Sequence, residues 1–314
     1  MPLHVVVGAG PVGSTLAVLL AEEGHDVRLV TRSGSGPERA GITRVAADAA
    51  VPGVLAREAA GAVAIHNCAN PPSYEHWAAQ WPPLAAALLA AAEESGAVLV
   101  TMSNLYGYGP VTGPMTPDLP LAARGKKGRL RAGMWRDALA AHEAGRVRAV
   151  EVRAADYVGP GVGPANGLLA RYARSVLAGR TAWVFGDPDA PHSFTDVRDV
   201  ARTLAVVAAD ERAWGRAWHA PTNPAVPVRT LLADVARRAG ARAPRIRRVP
   251  RAALRPAYPF VPVLRELDEV LHQFERPFVL DSSATTATLG LAPTPWEDVV
   301  ADTVGSWRAA MLVP

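Results

Sequence analysis

Gly8, Gly10 and Gly13 follow the apolar run Leu3–Val7 in the spacing G-x-G-x-x-G, and this is where the chain first declares a chemistry. Each glycine has its own use in holding a pyrophosphate: Gly8 for a tight turn, Gly10 for close approach of the backbone, Gly13 for a helix lying close to its strand. A helix entered through Pro11 and Val12 would turn its free N–H groups and positive dipole end toward the phosphates. Thr31, Arg32 and Ser33 then follow the second apolar run, Val27–Val30, where a site for NAD or FAD places an acid for the ribose 2′-hydroxyl. Arg32 and Ser33 instead suit a 2′-phosphate, so NADP is the expected cofactor, NAD is less favoured, and the missing acid weakens a flavin reading. A solvated arginine at a strand end is the plainer alternative for Arg32.

These residues need a strand–turn–helix–strand frame, and the pattern supplies one. Leu16, Leu19 and Leu20 mark the buried face of a helix reaching Glu23. Further strands are expected at Ile42–Ala47, Ala62–Cys68, Ala97–Thr101 and Val147–Arg153, with helices carrying Trp77, Trp81, Leu84 and Leu88 and spanning Leu130–Glu143. Strands alternating with helices predict an α/β fold, a Rossmann-type doubly wound parallel sheet with a smaller α+β substrate domain on the C-terminal side. Residues 1–158 are expected to bind the dinucleotide. Residues 159–314 would mainly bind substrate, with the stretch around 190–220 returning to the Rossmann core. Helices are expected at Leu168–Ala178 and Val226–Ala239, and Thr294-Pro295-Trp296-Glu297 reads as a capping box opening a last helix to about Met311.

Composition narrows the classes further. The 314 residues are 49% hydrophobic, with no apolar run as long as a membrane helix and a strand beginning at once, so a cytoplasmic protein without membrane partners is expected. The single cysteine, Cys68, excludes an internal disulfide and reads as a small core residue; the histidines show no metal-ligand spacing, and no metal is expected. Despite a pI near 9.6, net charge is only +4, and only two of the 33 basic residues, Lys126 and Lys127, are lysine. No basic stripe with interleaved aromatics occurs, so nucleic acid is not an expected partner. The cluster of Arg237, Arg238, Arg242, Arg245, Arg247, Arg248, Arg251 and Arg255 fits an anion-recognition surface less well than a solvated face. A small-molecule substrate is the expected partner, with a homodimer left open.

Four segments, in order along nearly the whole chain, resemble the extended short-chain dehydrogenase/reductases, also called NAD-dependent epimerase/dehydratase proteins. They are the glycine turn, Ser103-Asn104-Leu105-Tyr106-Gly107, Val152–Gly161 with its Asp156-Tyr157-Val158-Gly159-Pro160-Gly161, and His192–Ala201. The third is similar to the family's R…N-x-Y-G-P-G segment. The resemblance implies a cofactor-contacting acid at Asp48, beyond the third strand, and a ribose and pyrophosphate groove along Asn67, Ala69 and Asn70. A weaker resemblance of Ala21–Arg32 to ketopantoate reductase would require a long all-helical second domain.

The family's chemistry rests on Tyr-x-x-x-Lys, in which the lysine holds the ribose and lowers the tyrosine's pKa so that it can pass a proton. That pair is absent. Aligning the flanking strands puts its two positions on Lys126/Leu130 or on Lys127/Arg131, and a gapless match puts Met102 where the family has a catalytic serine; a one-residue slip restores Ser103. The candidates over the nicotinamide are therefore Ser103, Tyr106, Tyr108, Lys126 and Lys127, walled by Trp77, Trp81 and Trp135. Tyr106 as wall packing and the lysines as loop charges are the bland alternatives. Two outcomes are open: carbonyl reduction or epimerase-like chemistry by a non-standard site, or a catalytically inactive NADP-binding regulator.

Overall fold

The structure, a computed structural model, describes residues 1–164, 166–250 and 268–312; Arg251 and Arg255 of the basic cluster lie outside the described residues. Its strands are β1 (Leu3–Val7), β2 (Asp26–Thr31), β3 (Ile42–Ala46), β4 (Ala62–Asn67), β5 (Val98–Asn104), β6 (Arg148–Ala154), β7 (Asp156–Val158), β8 (Ala182–Val184), β9 (Pro191–His192), β10 (Phe194–Asp196), β11 (Ala217–His219), β12 (Val226–Pro227) and β13 (Ile246–Arg248). Seven of them form one parallel sheet in the order β11-β6-β5-β4-β1-β2-β3. The helices are α1 (Pro11–Glu22), α2 (Val54–Glu58), α3 (Trp77–Ser95), α4 (Lys126–Glu143), α5 (Ala173–Leu177), α6 (Val197–Ala209), α7 (Val228–Arg238), α8 (His272–Glu275), α9 (Ser283–Leu289) and α10 (Trp296–Leu312).

Because successive strand residues point to opposite faces, the unbroken run Val5-Val6-Val7 only suits a sheet covered on both sides. Val6 packs with Leu16 and Leu20 of α1 and Leu204 of α6, whereas Val5 and Val7 pack with Trp77, Trp81 and Leu88 of α3 and Ala141 of α4. A third core joins Val176, Leu231, Val235, Val300 and Trp307 in the smaller C-terminal region. Strand order reverses at β1, between β2 and β4, so a crevice opens beyond the carboxyl ends of β1 and β4, where open α/β sheets bind ligands.

Several boundaries differ from the sequence reading. Helix α4 begins at Lys126 rather than Leu130, because the carboxylate of Glu269, 142 residues from Lys127, accepts the Lys127 backbone N–H at 2.8 Å and so serves a helix start that has no local side-chain cap. Strand β5 runs on to Asn104, which puts Met102 and Ser103 inside it. The stretch expected as a helix at Leu168–Ala178 divides into a 3-10 turn, Leu169–Tyr172, and α5. Val226–Pro227 pairs with β9, so α7 starts at Val228. Thr294 makes no capping box: its hydroxyl and its N–H both bond the buried Asp199 carboxylate, at 2.8 and 2.9 Å. The C-terminal region carries strands, which removes the all-helical ketopantoate-reductase alternative.

His4, near the start of β1, and His66, one residue before the end of β4, lie buried with Nδ1 and Nε2 3.0 Å apart, and His25 packs 4.7 Å from the His4 ring. Burial first, and then the neighbouring His25, hold His4 down at about 4; burial and His4 hold His66 well below the ordinary imidazole value of 6.5. Both imidazoles are therefore neutral in the folded chain and charge on unfolding. Stability is fully present above pH 6.5 and drains away as pH falls toward 4, by about 3 kcal/mol for His4 alone at 1.36 kcal/mol per pH unit. Urea denaturation at pH 7.5 and pH 4.5 checks this; a loss no larger in wild type than in a His4→Leu/His66→Leu variant would contradict it.

Candidate functional site

The glycine turn leaves β1 and enters α1 beside the strand crossover. Gly8 has φ +99°, and a Cβ there would lie 2.8 Å from the backbone of Ala69; a Cβ on Gly13 would lie 2.0 Å from the Gly8 carbonyl oxygen. At Gly10 a Cβ would meet no protein atom, so that side of the turn is open. Gly10 is also the extended N-cap of α1, with Pro11 in the first turn and no side chain capping the helix, so the N–H groups beyond it remain to be met from outside.

Around the crevice the other candidates fall as follows. Thr31 ends β2 with its hydroxyl on the Ser35 carbonyl; Arg32 and Ser33 are exposed, and Arg32 makes no hydrogen bond or ion pair among the described residues. Asp48, exposed beyond β3, accepts the Ala50 N–H at 2.9 Å and closes its own turn. Asn67 ends β4 almost wholly buried, its Oδ1 accepting from the Ala69 N–H at 3.3 Å while its Nδ2 has no partner. Asn70 donates to the carbonyl of Pro71.

Helix α4 settles which pair faces the sheet edge. Lys126 is exposed and Leu130 packs into the core beside α3, whereas Lys127 and Arg131, one turn apart, are both buried. Gly128 makes this approach feasible, since a Cβ there would lie 2.5 Å from the carbonyl oxygen of Tyr106. The Lys127 ammonium is 3.4 Å from a Glu269 carboxylate oxygen and 5.0 Å from the Tyr74 ring centre. Arg131 donates from Nη2 to the Met102 carbonyl at 2.7 Å and lies 4.5 Å over the Trp81 ring, but its Nε and Nη1 have no partner. Two buried guanidinium donors without acceptors are costly, on the order of 1–3 kcal/mol each, and call for a partner from outside the described residues.

Tyr106 shares a 2.7 Å hydrogen bond with the hydroxyl of Tyr74 and stacks on Trp77. Burial above all raises both phenols, Tyr106 well above its ordinary value, so both stay neutral. Tyr106 and Tyr108 line a cleft of about 510 Å3 with Gly125, Glu269, His272 and Gln273. Tyr108, however, has its hydroxyl committed: it accepts from Arg153 Nη1 at 2.6 Å and faces His219 Nε2 at 2.7 Å. His219 Nδ1 lies 2.9 Å from the Asp281 carbonyl, which can only accept, so Nδ1 carries the hydrogen and Nε2 takes the Tyr108 proton. Burial, the largest cause, lowers His219 to about 4, in keeping with that neutral form. Ser103, buried near the end of β5 beside Arg153, makes no side-chain hydrogen bond among the described residues.

The model of the NAD dependent epimerase/dehydratase family matches residues 4–218. This chain belongs to that family. No curated protein matches the chain. Among solved structures, the double mutant of the dTDP-glucose 4,6-dehydratase DesIV from Streptomyces venezuelae has a TM-score of 0.79 at 22% identity, covering 98% of this chain and 97% of that one. The UDP-glucose 4-epimerase of Thermotoga maritima has 0.80 at 18%, covering 98% and 99%, and that of Thermus thermophilus has 0.78 at 20%, covering 98% and 99%. At these identities the likeness is one of fold.

Against the family's Tyr-x-x-x-Lys, the structure puts Lys127 and Arg131 on the inner face of α4. Ring and side-chain contacts join Tyr106, Tyr74, Trp77, Trp81 and Lys127, and the glycine turn lies against Ala69 just beyond Asn67; Trp135 lies in the core, Ser103 stands opposite Arg153 in the sheet, and Lys126 is exposed. The residues that sequence reasoning passed over are Tyr74, Glu269, the pair Asp156 and His192, and Arg131 as a group in its own right. Arg131 had a signal in its i+4 spacing from Lys127, and Asp156 and His192 lie in two of the family-like segments. The donor set suits a dinucleotide: an open glycine edge, an uncapped helix start, and unpartnered donors on Asn67 and Arg131 at the carboxyl end of the sheet.

Proposed function

We propose that the chain is an NADP(H)-dependent oxidoreductase of this family, acting at a carbonyl or hydroxyl carbon of a small molecule, with nucleotide sugars the first class to screen. The observation that carries the reading is the pair of buried, unpartnered N–H groups on Arg131. Structures of the neighbours named above hold NAD or UDP-glucose, which supports both the cofactor class and that first screen. When bound, the dinucleotide supplies or takes up hydride.

The chain's own residues divide the remaining work. Gly8, Gly10 and Gly13, with Pro11 and Val12 opening α1, hold the pyrophosphate; Asn67, Ala69 and Asn70 line its groove; Arg131 holds the nicotinamide ribose in place of the family's lysine. Arg32, with Thr31 and Ser33, grips the 2′-phosphate, and Asp48 lies beside the adenine. Ser103 and Tyr106 orient the substrate oxygen under the roof of Tyr74 and Trp77, and Lys127 supplies positive charge next to it. Tyr108 braces this wall through Arg153 and His219 and takes no direct part. The regulator reading draws on one observation: Lys127, in the place of the family's tyrosine, is engaged by Glu269.

Calorimetric titration with NADPH and NADH tests the cofactor assignment. A charge-assisted hydrogen bond to phosphate, worth roughly 1.5–3 kcal/mol, gives NADPH a tenfold to hundredfold advantage that Arg32→Ala removes. Equal wild-type affinities would defeat the NADP assignment. Absorbance assays across nucleotide sugars and simple carbonyls separate the two functions: tight binding with no turnover favours the regulator.

A further inference from the structure

The residues assigned to the substrate oxygen, in the place of the family's tyrosine, are poor proton donors. The two paired phenols are pushed upward chiefly by burial, and the Lys127 ammonium is held by Glu269. Another pair of side chains stands at the same edge of the sheet. Asp156 opens β7 directly after β6, and β7 pairs in parallel with β10, Phe194 opposite Asp156, so that His192 arrives beside the carboxylate. His192 Nε2 lies 2.7 Å from Asp156 Oδ2, and His192 Nδ1 lies 3.2 Å from the carbonyl oxygen of Gln273, a residue of the cleft wall.

Bare lone pairs on Nε2 and Oδ2 would repel at 2.7 Å, so a hydrogen lies between them; carried on Nε2, it makes the imidazole a donor to the carboxylate and leaves Oδ1 free. The imidazole is also enclosed by aromatic rings, stacked at 5.1 Å on both Phe274 and Phe278 and tilted at 4.9 Å against Phe194, faces that favour positive charge.

Asp156 looks outward from this enclosure. Its side chain is 27% exposed against 3% for His192, and Oδ1 makes no hydrogen bond among the described residues. After burial, the Asp156 charge is among the causes that raise the hydroxyls of Tyr74, Tyr106 and Tyr157, so the carboxylate stands within electrostatic reach of the proposed substrate roof.

We propose that Asp156, backed by His192, is the proton-exchanging residue of this site and replaces the family's tyrosine in that role, an assignment that rests on the oxidoreductase reading. In carbonyl reduction the carbonyl carbon gains hydride from the reduced dinucleotide, which is oxidised as the carbonyl is reduced. The π pair moves to oxygen, and an O–H bond forms there as the O–H bond of protonated Asp156 breaks. The proton leaves from Oδ1, the carboxylate so formed keeps the hydrogen bond from His192 Nε2, and water restores the proton at the exposed Oδ1. Alcohol oxidation runs the same steps backward, with Asp156 taking the hydroxyl proton. Exposed Oδ1 also gives the site a carboxylate facing the substrate, which favours a hydroxyl at that point over a phosphate.

Two measurements test this on the full chain. Histidine-labelled wild type should show a far-downfield exchangeable proton in its NMR spectrum that vanishes in both Asp156→Asn and His192→Gln; its absence from wild type overturns the hydrogen bond from His192 to Asp156. In turnover, Asp156→Gly should lower kcat by about 10²–10⁴-fold, the usual range for a general acid, with NADPH affinity unchanged and with formate restoring part of the rate. An unaltered kcat, or a loss that formate does not restore while the melting temperature is unchanged, assigns the proton transfer elsewhere. If wild type binds no dinucleotide, the oxidoreductase reading fails by itself, and the NMR signal alone decides whether the pair holds its hydrogen bond.

Discussion

Arg131→Met is expected to weaken NADPH binding by a hundredfold or more and, in the same protein, to raise the melting temperature without cofactor by a few degrees. The opposite signs come from one cause. Arg131 is buried with Nε and Nη1 unpartnered, so the protein without ligand bears their desolvation cost. Methionine matches the length of the stem, keeps the packing on Trp81 and removes the charge, which relieves that cost. The bound state loses two charge-assisted hydrogen bonds of roughly 1.5–3 kcal/mol each, which sets the hundredfold floor. Scanning calorimetry without cofactor and a titration with NADPH check the two halves. A variant that melts lower and binds normally would make Arg131 a structural brace on the Met102 carbonyl and nothing more.

How much of this was legible depended on whether the determinant was local. The glycine turn could be read because its three positions answer to backbone geometry within six residues, and the parallel sheet because period-two burial and helix faces repeat along the chain. Lys127 could not be separated from Lys126 in the same way. The start of α4, Lys126-Lys127-Gly128-Arg129-Leu130-Arg131, is polar almost all round, and what buries Lys127 is Glu269, far along the chain. Tyr108 reads as a candidate beside Tyr106 until Arg153 and His219, from β6 and β11, are seen to claim its hydroxyl. Asp156 and His192 share no motif spacing; only the register of β7 on β10 joins them. The capping-box pattern at Thr294 failed for a similar reason, since the buried Asp199 of α6 offers its hydroxyl a stronger, charged acceptor than its own helix start.

The three glycines of the turn, which look equivalent in the sequence, should respond to alanine in two different ways. At Gly10 the backbone has φ −69°, which alanine adopts without strain, and a Cβ there meets no protein atom. Gly10→Ala should therefore fold and melt like wild type. Its new methyl group would occupy the open side of the turn, where a pyrophosphate must come close to the α1 N–H groups, so NADPH affinity should fall by a hundredfold or more. At Gly13 the Cβ would sit 2.0 Å from the Gly8 carbonyl oxygen, inside any allowed contact, and both atoms belong to backbone. Helix α1 must then move off the sheet, opening its packing on β1 and on α6. Gly13→Ala should lose cofactor binding and also several kcal/mol of stability, the range typical of overpacking and disturbed burial in a core. Parallel melting curves and NADPH titrations of the two variants make the comparison. Normal binding by Gly10→Ala would show that no phosphate approaches this turn, and the dinucleotide reading of the crevice would fall with it.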